Sequence, residues 1–257
     1  MAVRSRAGSV GHKVLPGLIA LAAASVTCLA VTACGGSGTG GGASPSPSAT
    51  VADPLAGLSG DQVVAKAVAE LKDVPSFTMA GTVTDSSGTY NVNLSYKKGS
   101  GCQGTVAQPG KGSFAMVVIG ATAWVKPDDA FWKANAGSQA AAAIALLAGR
   151  YLKGSTSNAS VASLTKLCDV KSLASSLTEA TGVAKGPVTV MGGQRVLPLT
   201  DKAKGGTLFV TDANPPRILQ LSNSKAGHHG TLTFSYTPVT LTPPPASQTV
   251  DGSKLGF

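Results

Sequence analysis

The chain has 257 residues, 21 Lys and Arg against 12 Asp and Glu, a formal net charge of +9, and only 13% charged residues, where soluble domains carry roughly 25%. A hydrophobic fraction of 43% argues against a disordered chain, and four Cys are too few for a disulfide-dense miniature scaffold. Two Glu in the whole sequence (Glu70 and Glu179) leave little material for carboxylate acid–base chemistry.

The first segment reads as an address. Arg4, Arg6 and Lys13 precede an uncharged, Ala-rich run from Val14 to Ala33, the basic and apolar regions of an export signal. The run ends at Val31-Thr32-Ala33-Cys34, followed by Gly35-Gly36. This resembles a bacterial lipobox, in which the Cys34 thiol takes a diacylglyceryl thioether and the small Ala33 admits the signal peptidase. Cys28 is the competing position, but Thr27 before it is a poor match. An uncleaved transmembrane anchor is the other reading, since twenty residues span about 30 Å; Pro16, Gly17 and the lipobox favour cleavage.

Residues 35–50 are a Gly/Ser tract passing into Ser-Pro repeats. Such a segment buries no apolar surface and reads as a tether of about 20–25 Å r.m.s. span. The expected organisation is a signal over 1–33, a lipidated Cys and tether over 34–58, one domain over 59–251 and a tail over 252–257.

Val63, Val64, Ala67, Val68 and Leu71 recur at helical spacing, predicting a helix of about 13 residues that Ser59 or Asp61 caps and Pro75 closes. From residue 76 the period becomes two: Phe77, Met79 and Val83, then, after the turn Asp85-Ser86-Ser87-Gly88, Tyr90, Val92, Leu94 and Tyr96. Shorter strands are expected at 102–107, 112–119, 121–126 and 130–134. Helical spacing returns over 138–179, as Ile144, Leu147, Ala148 and Tyr151, then Val161, Leu164, Leu167 and Cys168, then Val170, Leu173, Ala174 and Leu177. A second strand set follows at 183–190, 194–200, 206–211, 217–222 and 230–236. Thr242-Pro243-Pro244-Pro245 reads as an extended tail along a sheet edge. Two antiparallel meanders, about ten strands in all, with helices before and between them, make an α+β domain whose helices cover the apolar face of the sheet.

Setting aside Cys34 and the signal leaves Cys102 and Cys168. An even remainder in an exported chain points to one structural disulfide, and no Cys-x-x-Cys motif supports a redox pair. Motifs for catalysis are scarce. His228 and His229 are adjacent in an apparent turn without a ligand cluster, and Asp128-Asp129 reads as a turn pair. Ser-x-x-Lys occurs three times (Ser95/Lys98, Ser163/Lys166, Ser222/Lys225) without the Ser-Asp-Asn and Lys-Thr-Gly elements that would give it meaning. The expectation is a non-enzyme with no cofactor and no metal site. Without the signal, 18 Lys and Arg face 12 Asp and Glu, a balance of +6. These charges are scattered, with no basic stripe for nucleic acid, and suit a surface held beside anionic lipid.

With lipobox, tether and the order helix, meander, helices, meander in place, the chain resembles the LolA/LppX-like lipoproteins of bacterial envelopes over about residues 59–250. The local features that carry this are Gly120 through Trp124-Val125-Lys126, Phe131-Trp132, Leu167-Cys168-Asp169, and the close Phe234-Ser235-Tyr236, Pro238-Val239 and Pro243-Pro244-Pro245. The resemblance implies a strongly curved, half-barrel antiparallel sheet with helices across its concave face and an apolar cavity that accepts acyl chains. Burial alone would hold such a ligand, at about 0.8 kcal/mol per methylene. Candidate cavity residues are Phe77, Met79, Val92, Leu94, Phe114, Met116 and Trp124 from strands, with Ile144 and Leu147 from helices; the other reading is that they fill a solid core. The expected role is a monomeric carrier of lipids or acylated ligands, anchored through Cys34 on the extracytoplasmic face of the cell membrane. A surface interaction or sensor lipoprotein with an envelope protein partner and a closed core is the alternative.

Overall fold

The computed structural model describes residues 53–252; the expected signal, Cys34 and most of the expected tether lie outside them. The described residues form an α+β fold, an open, curved, mixed sheet of 13 strands with five α-helices.

Helix α1 (Gly60–Asp73) starts at a capping box. Ser59 Oγ accepts from the Gln62 backbone N–H at 3.2 Å, and Gln62 Oε1 accepts from the Ser59 N–H at 2.8 Å. Asp61, the other candidate cap, instead accepts from the N–H groups of Gly182 and Val183 at 3.1 and 2.9 Å. This clamps the loop behind the central helices onto the helix start. Gly60 presses there against the Val183 carbonyl, so no side chain fits at that position. Apart from Gly60, the buried residues of α1 are the period-3.6 set that the sequence marks, Val63, Val64, Ala67, Val68 and Leu71.

The first meander runs β1 (Ser76–Asp85), β2 (Gly88–Lys97), β3 (Gly101–Gln108), β4 (Gly112–Ile119) and β5 (Thr122–Pro127). Asp129–Asn135 is a helix, α2, where the sequence suggested a strand over 130–134. Asp128 overrides the aromatic pair by capping: its Oδ1 accepts from the Phe131 N–H at 2.7 Å, while its Oδ2 accepts from the Ser113 N–H and hydroxyl at 2.9 and 2.7 Å. Phe131 then packs edge-on against Phe114, centroids 5.7 Å apart. Helix α3 (Ala140–Leu147) stops earlier than its spacing suggested, because Ala148 turns left-handed (φ 45°) with Gly149 behind it. Tyr151 therefore belongs to β6 (Tyr151–Ser155), antiparallel to β5, and not to the helix.

Helix α4 (Ala159–Thr165), a 3-10 turn (Lys166–Cys168) and α5 (Val170–Thr178) follow. The second meander comprises β7 (Ala184–Lys185), β8 (Thr189–Met191), β9 (Gln194–Asp201), β10 (Gly206–Thr211), β11 (Ile218–Lys225) and β12 (His228–Ser235). It joins the first through antiparallel pairing of β12 with β1, from Thr78 opposite Ser235 to Thr84 opposite His229.

Beyond β12 the chain does not follow a sheet edge. It crosses the outer face as a strap: Ser76 Oγ donates to the Thr237 carbonyl at 3.3 Å and accepts from the Val239 N–H at 3.2 Å. Gln103 spans the Thr240 carbonyl and the Thr242 N–H at 3.1 and 3.3 Å. Only then does β13 (Thr249–Asp251) pair with β6, in parallel. The Pro run, poor in donors, suits a segment lying across a sheet whose hydrogen bonds are already made.

The core lies on the other face. Cross-strand registers align Ala123, Val118, Cys102, Tyr96 and Phe77 in one row, and Leu152, Val125, Met116, Gly104, Leu94, Met79 and Phe234 in the next. These rows meet α1 and α5 in one contiguous buried cluster, which Gly104 and Leu152 do not join.

Candidate functional site

Among the described residues no group of three or more His, Cys, Asp or Glu stands together to hold a metal ion, and no helix is long and apolar enough to cross a membrane. A groove of about 810 Å³ opens at one end of the molecule, between the sheet and the helices. That volume falls within the roughly 300–1,000 Å³ of ligand-binding clefts.

The groove is built from separate pieces of chain. Leu71 and Val74 come from the end of α1, Phe77 from β1, Tyr96 from β2 and Val118 from β4. Cys168 and Val170 supply the helical wall, and Lys72, Lys97, Lys98 and Lys171 stand around it. Phe77 and Tyr96, cross-strand partners, stack with centroids 4.6 Å apart. The Tyr96 hydroxyl donates to the Leu167 carbonyl at 2.8 Å, and burial pushes its pKa well above the ordinary phenol value. Cys102 and Cys168 are joined by a disulfide with Cα atoms 5.4 Å apart, which fixes the 3-10 turn on β3. Asp169 caps α5: its Oδ2 accepts from the Ser172 hydroxyl at 2.7 Å and its Oδ1 from the Lys171 N–H at 2.9 Å. The Ser172 hydroxyl is the main reason its carboxyl lies below the usual carboxylate range.

The residues singled out from the sequence fall in distinct places. Phe77 lines the groove. Met79, Leu94 and Met116 lie in the next row, with Leu94 and Met116 only 1% exposed. Phe114 is buried farther along the same face, and Val92 is half-buried there. Trp124 sits between the buried Ala123 and Val125 and opposite Val117 and Lys153, so strand alternation turns it to the outer face, away from the core. On α3, Leu147 is buried and Ile144 half-buried, both outside the contiguous core cluster. His228 and His229 are exposed at the start of β12, and Cys34 is outside the described residues. The sequence reading missed Tyr96, Val118, Val170 and the lysines of the groove. The local signals were the Lys97-Lys98 turn and the Leu167-Cys168-Asp169 junction.

Two other clefts differ in character. One of about 230 Å³, among Val125, Phe131, Trp132, Leu152, Val161 and Leu164, is apolar but small. The other, about 1150 Å³, is walled by Gln194, Arg195, Asp212, Asn214 and Arg217 beside Phe234 and Tyr236. There the fully buried Asp212 side chain receives both Nε and Nη2 of Arg195 on Oδ2, at 3.0 and 2.6 Å.

No protein-family model and no curated protein sequence matches the chain. Among solved structures, it is similar to LprF from Mycobacterium bovis, with 14% identity, TM-score 0.48, and coverage of 72% of this chain and 96% of that one. It is also similar to the lipoprotein LppX from Mycobacterium tuberculosis, with 12% identity, TM-score 0.44, and coverage of 71% and 98%. An uncharacterised conserved protein from Thermus thermophilus follows, with 12% identity, TM-score 0.35, and coverage of 74% and 96%.

Proposed function

We propose that the chain is an extracytoplasmic lipoprotein, anchored by a diacylglyceryl group on Cys34, that binds acylated hydrophobic ligands in the groove between sheet and helices. The observation that carries this reading is the groove itself: about 810 Å³ of open space whose deep wall is Leu71, Phe77, Tyr96, Val118 and Val170. Apolar surface of this kind holds an acyl chain by removing its methylenes from water, with no catalytic group required. The lipobox supplies the anchor in this reading.

The test is mass spectrometry of lipid extracted from a Cys34→Ala form purified without detergent, together with titration of a fluorescent C16 fatty acid. Acyl lipid at near one per chain is expected, and Val170→Trp, which fills the groove, should weaken the fatty acid at least fivefold. Absence of lipid and of fatty-acid binding would refute the reading. The close packing of Met79, Leu94 and Met116 behind the groove favours the second reading, a non-enzymatic surface interaction module without a ligand cavity, and that outcome would select it.

A further inference from the structure

We infer that the groove selects an anionic amphiphile, a single alkyl or acyl chain whose phosphate or carboxylate head is held at the mouth by Lys72, Lys97 and Lys171. This rests on the acyl-binding reading above and adds the chemical class of the ligand.

The argument is one of charge at a particular place. Of the groove's lining side chains, four are Lys and one, Asp169, is acidic. The Asp169 carboxylate is engaged by the Ser172 hydroxyl and the Lys171 N–H at the start of α5, with a smaller attraction from the Lys171 ammonium. Lys98 is engaged as well, by Asp73 at 3.1 Å. Lys72 and Lys97 have no carboxylate partner among the described residues, and Lys72, Lys97 and Lys171 are exposed. Ammonium groups gathered at one opening repel one another, and an anion placed among them relieves that repulsion.

These lysines come from three different elements, the last turn of α1, the end of β2 and the first turn of α5. They converge on the groove only in the folded chain. Behind them the wall is apolar, and the lysine stems continue it outward while their charges stay in water. A chain inside and a negative head outside is the ligand shape that satisfies both parts. An uncharged lipid would leave the lysine cluster unanswered, and a free inorganic anion would leave the apolar wall exposed.

The experiment uses the oxidised full chain carrying Cys34→Ala, so that its own acyl group does not compete. Displacement of a fluorescent C16 fatty acid is followed with three probes: hexadecyl phosphate below its micelle concentration, hexadecanol, and inorganic phosphate. Hexadecyl phosphate should bind at least tenfold tighter than hexadecanol, and inorganic phosphate at the same concentration should displace nothing. In K72Q/K97Q/K171Q the phosphate-to-alcohol ratio should fall below threefold with hexadecanol unchanged, whereas K111Q should leave the ratio intact. Raising NaCl from 50 to 500 mM should weaken hexadecyl phosphate and leave hexadecanol unmoved. Equal affinity for alkyl phosphate and alcohol, or a ratio that survives the triple variant, overturns the charge selection while leaving acyl binding in place. Displacement by inorganic phosphate alone overturns the part assigned to the chain. If no alkyl probe binds, it is the acyl-binding reading that fails.

Discussion

Tyr96 and Leu167 meet through a single 2.8 Å hydrogen bond from a phenol to a main-chain carbonyl, next to the disulfide between Cys102 and Cys168. Tyr96 and Cys102 are cross-strand partners, and Leu167 and Cys168 are consecutive. One covalent and one hydrogen-bonded tie thus join the same patch of sheet to the same 3-10 turn, at the wall of the groove. Tyr96→Phe removes only the second tie and leaves the ring stacked on Phe77. Its cost should be about 1 kcal/mol, read as a small drop in the urea midpoint with an unchanged m-value.

The same phenol sets an alkaline limit. Burial raises the pKa of both Tyr96 and Tyr236 above the ordinary 10.0, so the folded state keeps these protons after the unfolded state has released them. Stability is therefore complete below pH 10 and falls as pH rises beyond it. Thermal melts from pH 8 to 11.5 should show that decline. It should be shallower in Tyr96→Phe and shallowest in Tyr96→Phe/Tyr236→Phe. A decline identical in all three would refute the assignment.

The disulfide closes a loop with a sequence separation of 66. In the chain-entropy account such a cross-link contributes about 4 kcal/mol by restricting the unfolded chain. Cys102→Ser/Cys168→Ser should lower the urea midpoint accordingly, and reductant should lower the parent to nearly the same value while leaving the variant unmoved. Alkylation of the native protein without reductant should label neither cysteine.

Asp128 ties the start of β4 to the start of α2. Partial burial raises its pKa, but the hydrogen bonds from Phe131, from the Ser113 hydroxyl and backbone, and from Ala130 outweigh that and hold it below the usual 3.8. Its stabilisation is thus present above pH 3.8 and lost as pH falls through the lowered value. Asp128→Ala should cost about 1–2 kcal/mol at neutral pH. The parent's advantage over the variant should shrink in melts between pH 5 and 2.5; an advantage constant to pH 2.5 would mean that the charge contributes nothing.

Much of the scaffold was legible in the residues themselves. The α1 stripe and its Ser59 cap, and the alternation in β1 and β2, are local patterns that local physics obeys. Asp128 was legible in principle, as a capping side chain three residues before Phe131, but the aromatic pair Phe131-Trp132 reads equally as strand. Trp124 was misplaced because Ala123 carries so little hydrophobic signal that the phase of β5 could be read either way. The groove was the least legible part, since its lysines and its wall come from elements far apart in sequence. The strap was equally hidden, because nothing in a Pro run says which face of a sheet it will cross.

The pairing of β1 with β12 imposes an order on assembly. A chain emerging N-terminus first makes the whole first meander while the edge of β1 stays open, waiting for residues beyond His228. Such long-range closure slows folding, and an unpaired strand edge invites pairing with other chains. The vulnerable interval ends only when β12 has appeared, so the second meander decides whether the first is safe from aggregation.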